Sequence, residues 1–118
     1  MTLVPVLRQG RTLIASIQSA LSDRDILVLQ EQLLAAVAEK ACDGVIIDVS
    51  ALDVLDSFAT RTLRDIAKAL HLRGAKTVIV GIQPDVALSM VLLGLTLNEV
   101  ASALDLDAGL ALLRADDA

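Results

Sequence analysis

Two hydrophobic periods alternate along this chain. Leu3 to Arg8 and Leu13 to Gln18 are short Leu-rich and β-branched runs separated by Gln9-Gly10-Arg11, which predicts a hairpin with Gly10 in its turn. Ser22-Asp23 then offers a helix cap, and apolar residues at 26, 29, 33, 34, 37 and 38 keep helical spacing to about Ala41. Gly44 to Val49 is a continuous apolar run interrupted only by Asp48, the pattern of a strand buried on both faces. From Asp56 the period changes back: Phe58, Leu63, Ile66, Ala67 and Leu70 share one face of a helix from Ser57 to about Leu72, and Arg61, Arg64, Asp65 and Lys68 fall mostly off it. Gly74 closes that helix, and Lys76 to Val80 forms the next strand, ending at Gly81. Pro84 suits the first position of a third helix reaching about Leu93, with Gly94 as its stop. Leu97 to Val100 is read as a short last strand, and Asp105-Leu106-Asp107-Ala108 as the start of a closing helix through Leu113, ahead of a frayed tail at Asp116 and Asp117.

The order β-β-α-β-α-β-α-β-α with short connections predicts one α/β domain over residues 1–118. Its sheet is mixed, with four to five strands and about four helices, and it is parallel in its later part because strand-helix-strand crossovers are right-handed. No linker or low-complexity segment divides the chain. Asp56-Ser57 and Pro84-Asp85 each follow a strand at a helix start, an echo that shared α/β geometry explains without duplication.

Composition narrows the function. The chain has 118 residues, 55% of them hydrophobic, which is ample for a single core. Phe58 is the sole aromatic residue, so bases and sugars have no stacking platform. A net charge of −5 argues against a nucleic-acid partner, which needs clustered Lys and Arg. No apolar run approaches the ~18 residues of a membrane span, and no basic segment precedes an apolar leader, so a cytoplasmic protein without a membrane partner is expected. A mean hydropathy of +0.68 points to some apolar surface covered by association. The single cysteine, Cys42, has no metal-ligand spacing around it and is expected to be buried or half-buried.

Candidate chemistry concentrates after the central strand, where Asp48, Asp53 and Asp56 precede Ser57 and Phe58. Three carboxylates at a strand end are a possible ligand set for a hard cation such as Mg2+; the plainer reading has Asp56 capping the helix and Asp53 shaping the loop. Ser57 has two readings of its own, a helix-capping hydroxyl or a phosphorylation switch. Unpaired N–H groups and the helix dipole tolerate a phosphate at that place, while its charge faces any docked partner. No Gly-rich phosphate loop occurs, so no nucleotide cofactor is expected. The sole histidine, His71, suits the end of its helix as a cation. A catalytic Ser-His-Asp group from Ser57, His71 and Asp48 fails, because fourteen residues on one helix separate the first two by roughly 21 Å.

The run from Asp48 through Asp53, Asp56, Ser57 and Phe58, the later Gly74-Ala75-Lys76, and Gly81-Ile82-Gln83-Pro84 with Leu93-Gly94 beyond resemble the STAS domain, the anti-sigma-factor antagonist family. The resemblance covers essentially the whole chain. The Asp-Ser-Phe form, the opening Leu13 to Gln18 and the ending Ala103 to Leu106 with Gly109-Leu110 look most like the single-domain scaffolds of the bacterial stressosome. It implies the STAS fold and a non-enzymatic role: a scaffold that sequesters a serine kinase of the RsbT type and releases it when Ser57 is phosphorylated. The partner surface would comprise Asp53, Asp56, Ser57 and Phe58, with no cofactor or metal. Co-assembly with RsbR-type STAS paralogues, and a homodimer or larger particle, is implied as well. In RsbR-type chains a threonine is modified in the helix after the Gly-Ile-Gln-Pro turn; the nearest position here is Ser89, read as a buried or helix-facing hydroxyl. Two other roles stay open: a stand-alone STAS subunit of a transporter complex, and a module binding a small ligand or nucleotide at the strand ends.

Overall fold

The computed structural model describes residues 4–39, 42–92 and 100–116. Among them five strands and four helices follow in the order β1 (Val6–Gln9), β2 (Thr12–Ser16), α1 (Asp23–Glu39), β3 (Gly44–Asp48), α2 (Ser57–Leu72), β4 (Lys76–Val80), α3 (Pro84–Leu92), β5 (Ala101–Ala103) and α4 (Leu106–Asp116). The strands lie side by side in chain order; β1 runs antiparallel to β2, and every later pairing is parallel. This is the α/β STAS architecture expected from the sequence.

The β1–β2 hairpin pairs Gln9 with Thr12, so Gly10 and Arg11 alone make the turn. Gly10 takes φ 62°, the left-handed conformation that a two-residue hairpin asks of its first central residue. Pairing in β3 is continuous on both sides, Val45 with Leu13 and Thr77, Ile46 with Ile14 and Val78. Successive side chains of a strand point to opposite faces, so its apolar run feeds two cores. Val45 and Ile47 join Leu29, Leu33, Leu63, Ile66, Leu70 and Ile79 in the larger cluster. Ile46 faces the other way, with Ile14, Val78, Val80 and Leu113 of α4. α4 comes close because Gly109 has no Cβ; one placed there would stand 2.7 Å from Val80 Cγ1.

The helix ends are chemically marked. Ser22 Oγ accepts the Asp25 N–H at 3.1 Å and Asp25 Oδ2 accepts the Ser22 N–H at 3.2 Å, a reciprocal capping box for α1. Asp105 Oδ1 accepts the Ala108 N–H at 2.9 Å at the start of α4. Cys42 is buried, and its thiol donates to the Gly44 carbonyl at 3.2 Å.

Several expectations change, beginning with the closing helix, which runs to Asp116 where a frayed tail was expected. The last strand lies at Ala101–Ala103, beyond Leu97 to Val100; Gly94 and Leu97 are outside the described residues. Pairing of Val78 with Ala101 and of Val80 with Ala103 decides its place, because Ala-Ser-Ala carries almost no strand propensity. Phe58 does not belong to the buried face of α2, which is built from Ala59, Leu63, Ile66, Ala67 and Leu70; at 39% exposure it points outward from the first turn. Ser89 is exposed rather than buried, since α3 buries only Val86 and Met90 and leaves Leu88, Val91 and Leu92 in solvent.

Gly81 ends β4 with φ 80°, and a Cβ there would stand 2.6 Å from the Ser50 Cβ. Gly81→Ala therefore meets both a disfavoured backbone conformation and a clash with the β3–α2 loop. It should lower stability by about 1–3 kcal/mol in urea denaturation, and by more than Gly74→Ala, which at φ 88° carries the backbone strain but has open space around it.

Candidate functional site

The region after β3 is shaped by hydrogen bonds local to the chain. Asp48 Oδ1 accepts the Ser50 N–H at 2.9 Å, turning the backbone out of the strand, and the Leu52 N–H returns to the Val49 carbonyl at 2.9 Å. Leu52 and Leu55 are buried and anchor the loop to the larger core, leaving Asp53 and Val54 exposed between them. Asp48, and not Asp53, thus supplies the loop-shaping carboxylate.

Asp56 is the N-cap of α2, at φ −76° and ψ 175°. Its Oδ1 accepts the Ala59 N–H at 2.7 Å, while its carbonyl accepts from the Thr60 N–H at 3.0 Å and the Thr60 hydroxyl at 2.9 Å. Ser57 is therefore the first helical residue, one place past the cap, and is half-buried. Among the described residues its hydroxyl makes no hydrogen bond, so the capping role open to it in the sequence has been taken by its neighbour. The N–H groups of Ser57 and Phe58 open the helix without intrahelical acceptors and carry the positive end of its dipole.

A second loop braces this one. Gln83 Nε2 donates to the Ser50 carbonyl at 2.8 Å, and Gly81 packs against Ser50. The β3–α2 and β4–α3 loops meet at the C-terminal edge of the parallel strands. Asp53, Val54, Asp56 and Phe58 stand exposed around Ser57, an acidic surface with two apolar side chains set into it. Beneath it, between Ile17, Leu21, Leu52, Leu55 and Ala59, the cavity measures about 70 Å³. Ligand sites for small organic molecules occupy about 300–1,000 Å³.

The other sequence candidates are not brought together. His71 is in the last turn of α2, at the opposite end of the helix from Ser57, and is exposed. Among the described residues no group of three or more His, Cys, Asp or Glu is placed to hold a metal ion. Asp48 and Asp56 already direct carboxylate oxygens at backbone N–H groups. No helix among the described residues is long and apolar enough to cross a membrane. The bracing by Gln83 and Gly81 escaped sequence reading; the Gly-Ile-Gln-Pro turn was visible, but not what its glutamine would reach.

Comparison with known proteins agrees with this geometry. Residues 4–105 match the STAS domain. A serine-to-glutamate variant of RsbS from Moorella thermoacetica superposes with a TM-score of 0.85 at 34% identity, covering 98% of both chains. A chain from the molecular architecture of the stressosome, described as a signal integration and transduction hub, gives 0.79 at 33% identity over 96% of this chain and 98% of that one. The RsbT co-antagonist protein RsbRA of Bacillus subtilis is 30% identical over 82 residues, 70% of this chain and 30% of its own length. The chain spans 30% and 62% of the lengths of the two curated relatives it matches. The anti-sigma factor antagonist SpoIIAA, at 13% identity and a TM-score of 0.70, shares the fold. With its matched residues, its strand order and its Asp-Ser helix start in agreement, the chain belongs to the STAS domain family and is similar to RsbS and to the RsbT co-antagonist RsbRA.

Proposed function

We propose that this chain is a cytoplasmic scaffold of a stressosome-type assembly that holds an RsbT-type kinase on the surface around Asp53, Asp56, Ser57 and Phe58, and releases it when Ser57 is phosphorylated. Relationship to RsbS and to an RsbT co-antagonist supports the choice of partners, RsbR-type paralogues included, and the bacterial stress response as the output. The observation that carries the reading is the division of labour at the start of α2: Asp56 holds the helix end, and the Ser57 hydroxyl has no structural duty.

The electrostatics are sufficient for a switch. A phosphoserine adds a charge of about −1.5 to −2 beside two exposed carboxylates. Two unit charges ~4 Å apart interact by ~1 kcal/mol in water and ~4 kcal/mol at an effective dielectric of 20. A docked partner would therefore lose between several-fold and about a thousandfold in affinity. The positive end of the α2 dipole accommodates the added charge within the domain, so the backbone keeps its conformation and the effect falls on the interface.

Ser57→Ala should bind the kinase within about threefold of wild type and take up no phosphate, while Ser57→Asp should bind at least about tenfold more weakly, both read by titration calorimetry and phosphate incorporation. Loss of kinase binding by the alanine variant, or undiminished phosphorylation of it, would sink the proposal. The cap is separable from the charge: Asp56→Ala should cost about 1 kcal/mol in urea denaturation, and Asp56→Asn only a few tenths, because asparagine caps as well as aspartate. A weaker kinase complex in the asparagine variant then reports the charge alone.

A further inference from the structure

At the end of α2 far from Ser57, a cleft of about 720 Å³ opens between the helix and the strands β4 and β5. Lys68, His71 and Leu72 line it from α2, Lys76 and Thr77 from β4, and Ala101 from β5. Its composition differs from that of the rest of this acidic protein. Two of the chain's three lysines and its sole histidine converge there, and none of the described lining residues is acidic. Each lysine has an interaction of its own, and an ammonium group with three donors keeps others to offer.

Thr77 supplies a second, independent observation. It is 5% exposed, and its Oγ1 is buried without a hydrogen-bond partner among the described residues. Its partner across the β3–β4 ladder is Val45, and the next residue on its face of β4 is Ile79, both fully buried aliphatics. A valine would fill the same shape with no orphaned hydroxyl, so the threonine is unfavourable for packing alone. Leu72 and Ala101 give the cleft an apolar wall, and its volume is that of a small-molecule site.

We propose that this cleft binds a small organic anion, a carboxylate or phosphate monoester on an aliphatic body, with Lys68, Lys76 and His71 facing the charge and the Thr77 hydroxyl donating to it. The absence of Trp and Tyr from the chain, and the aliphatic wall, favour an unstacked ligand over a nucleotide. This site is independent of the kinase surface, and its test uses neither kinase nor phosphorylation.

The full chain, labelled with nitrogen-15, is titrated with octanoate, hexyl phosphate and hexylammonium while its amide resonances are followed. At least one of the two anions should give saturable shifts at His71, Thr77 and Ala101 with half-saturation at or below about 1 mM, and hexylammonium none. Lys68→Gln with Lys76→Gln should weaken binding at least about tenfold, and Thr77→Val several-fold with the remaining spectrum unchanged. If the double variant fails to fold, Lys68→Gln at its exposed position should still weaken binding. Absence of saturable shifts with both anions, equal binding of hexylammonium, or unchanged affinity in the folded lysine variants would overturn the proposal.

Discussion

Burial of β3 on both faces governs the rest of this molecule. A five-residue strand whose odd and even side chains both need cover requires helices on each side of the sheet, and short connections then force the parallel order seen in β2 through β5. Asp48 is where that burial ends. The chain leaves the sheet at its carboxylate, turns through an exposed loop pinned by Leu52 and Leu55, and re-enters order at the Asp56 cap. The surface around Ser57 is thus a by-product of closing the core, held from below by leucines and from the side by Gln83 and Gly81.

This construction suits a surface that is to be read by another protein. Its carboxylates sit on a loop pinned by Leu52 and Leu55 and on the helix cap that follows, so a partner would meet a preformed pattern with little ordering cost. α2 offers two chemically opposed ends, an acidic one around Asp53 and Asp56 and a cationic one around Lys68 and the Arg73 C-cap, each opposite in sign to the pole of the helix dipole beside it.

Much of this was legible in the chain, and the failures have physical reasons. α2 and β4 were read to the residue because chemistry marks their ends: Asp56 before the helix, Gly74 after it, Gly81 after the strand. β5 was displaced because Ala101-Ser102-Ala103 has no pattern to detect, and only its partner strand selects it. Phe58 was placed in the core because it is apolar, although at about 100° per residue it lies about 140° from Leu63 and off the face shared by Ala59, Leu63, Ile66 and Leu70. Ser89 was placed inside because an apolar neighbour on each side suggests burial, whereas α3 contributes only Val86 and Met90 to the larger core. The candidate serine and its carboxylates were visible as residue types, Asp56 as a possible cap among them; that the Ser57 hydroxyl would take no part in the capping needed coordinates.

The Asp56 cap carries a consequence for information rather than for stability. Where the modified residue is also the structural one, marking it deforms the protein, and each copy in an array strains its neighbours. In the switch proposed above, the mark at Ser57 and the joint at Asp56 would be different residues. A scaffold working that way would hold many marks without mechanical crosstalk, and its response would be graded, counted copy by copy, unless the readers themselves cooperate.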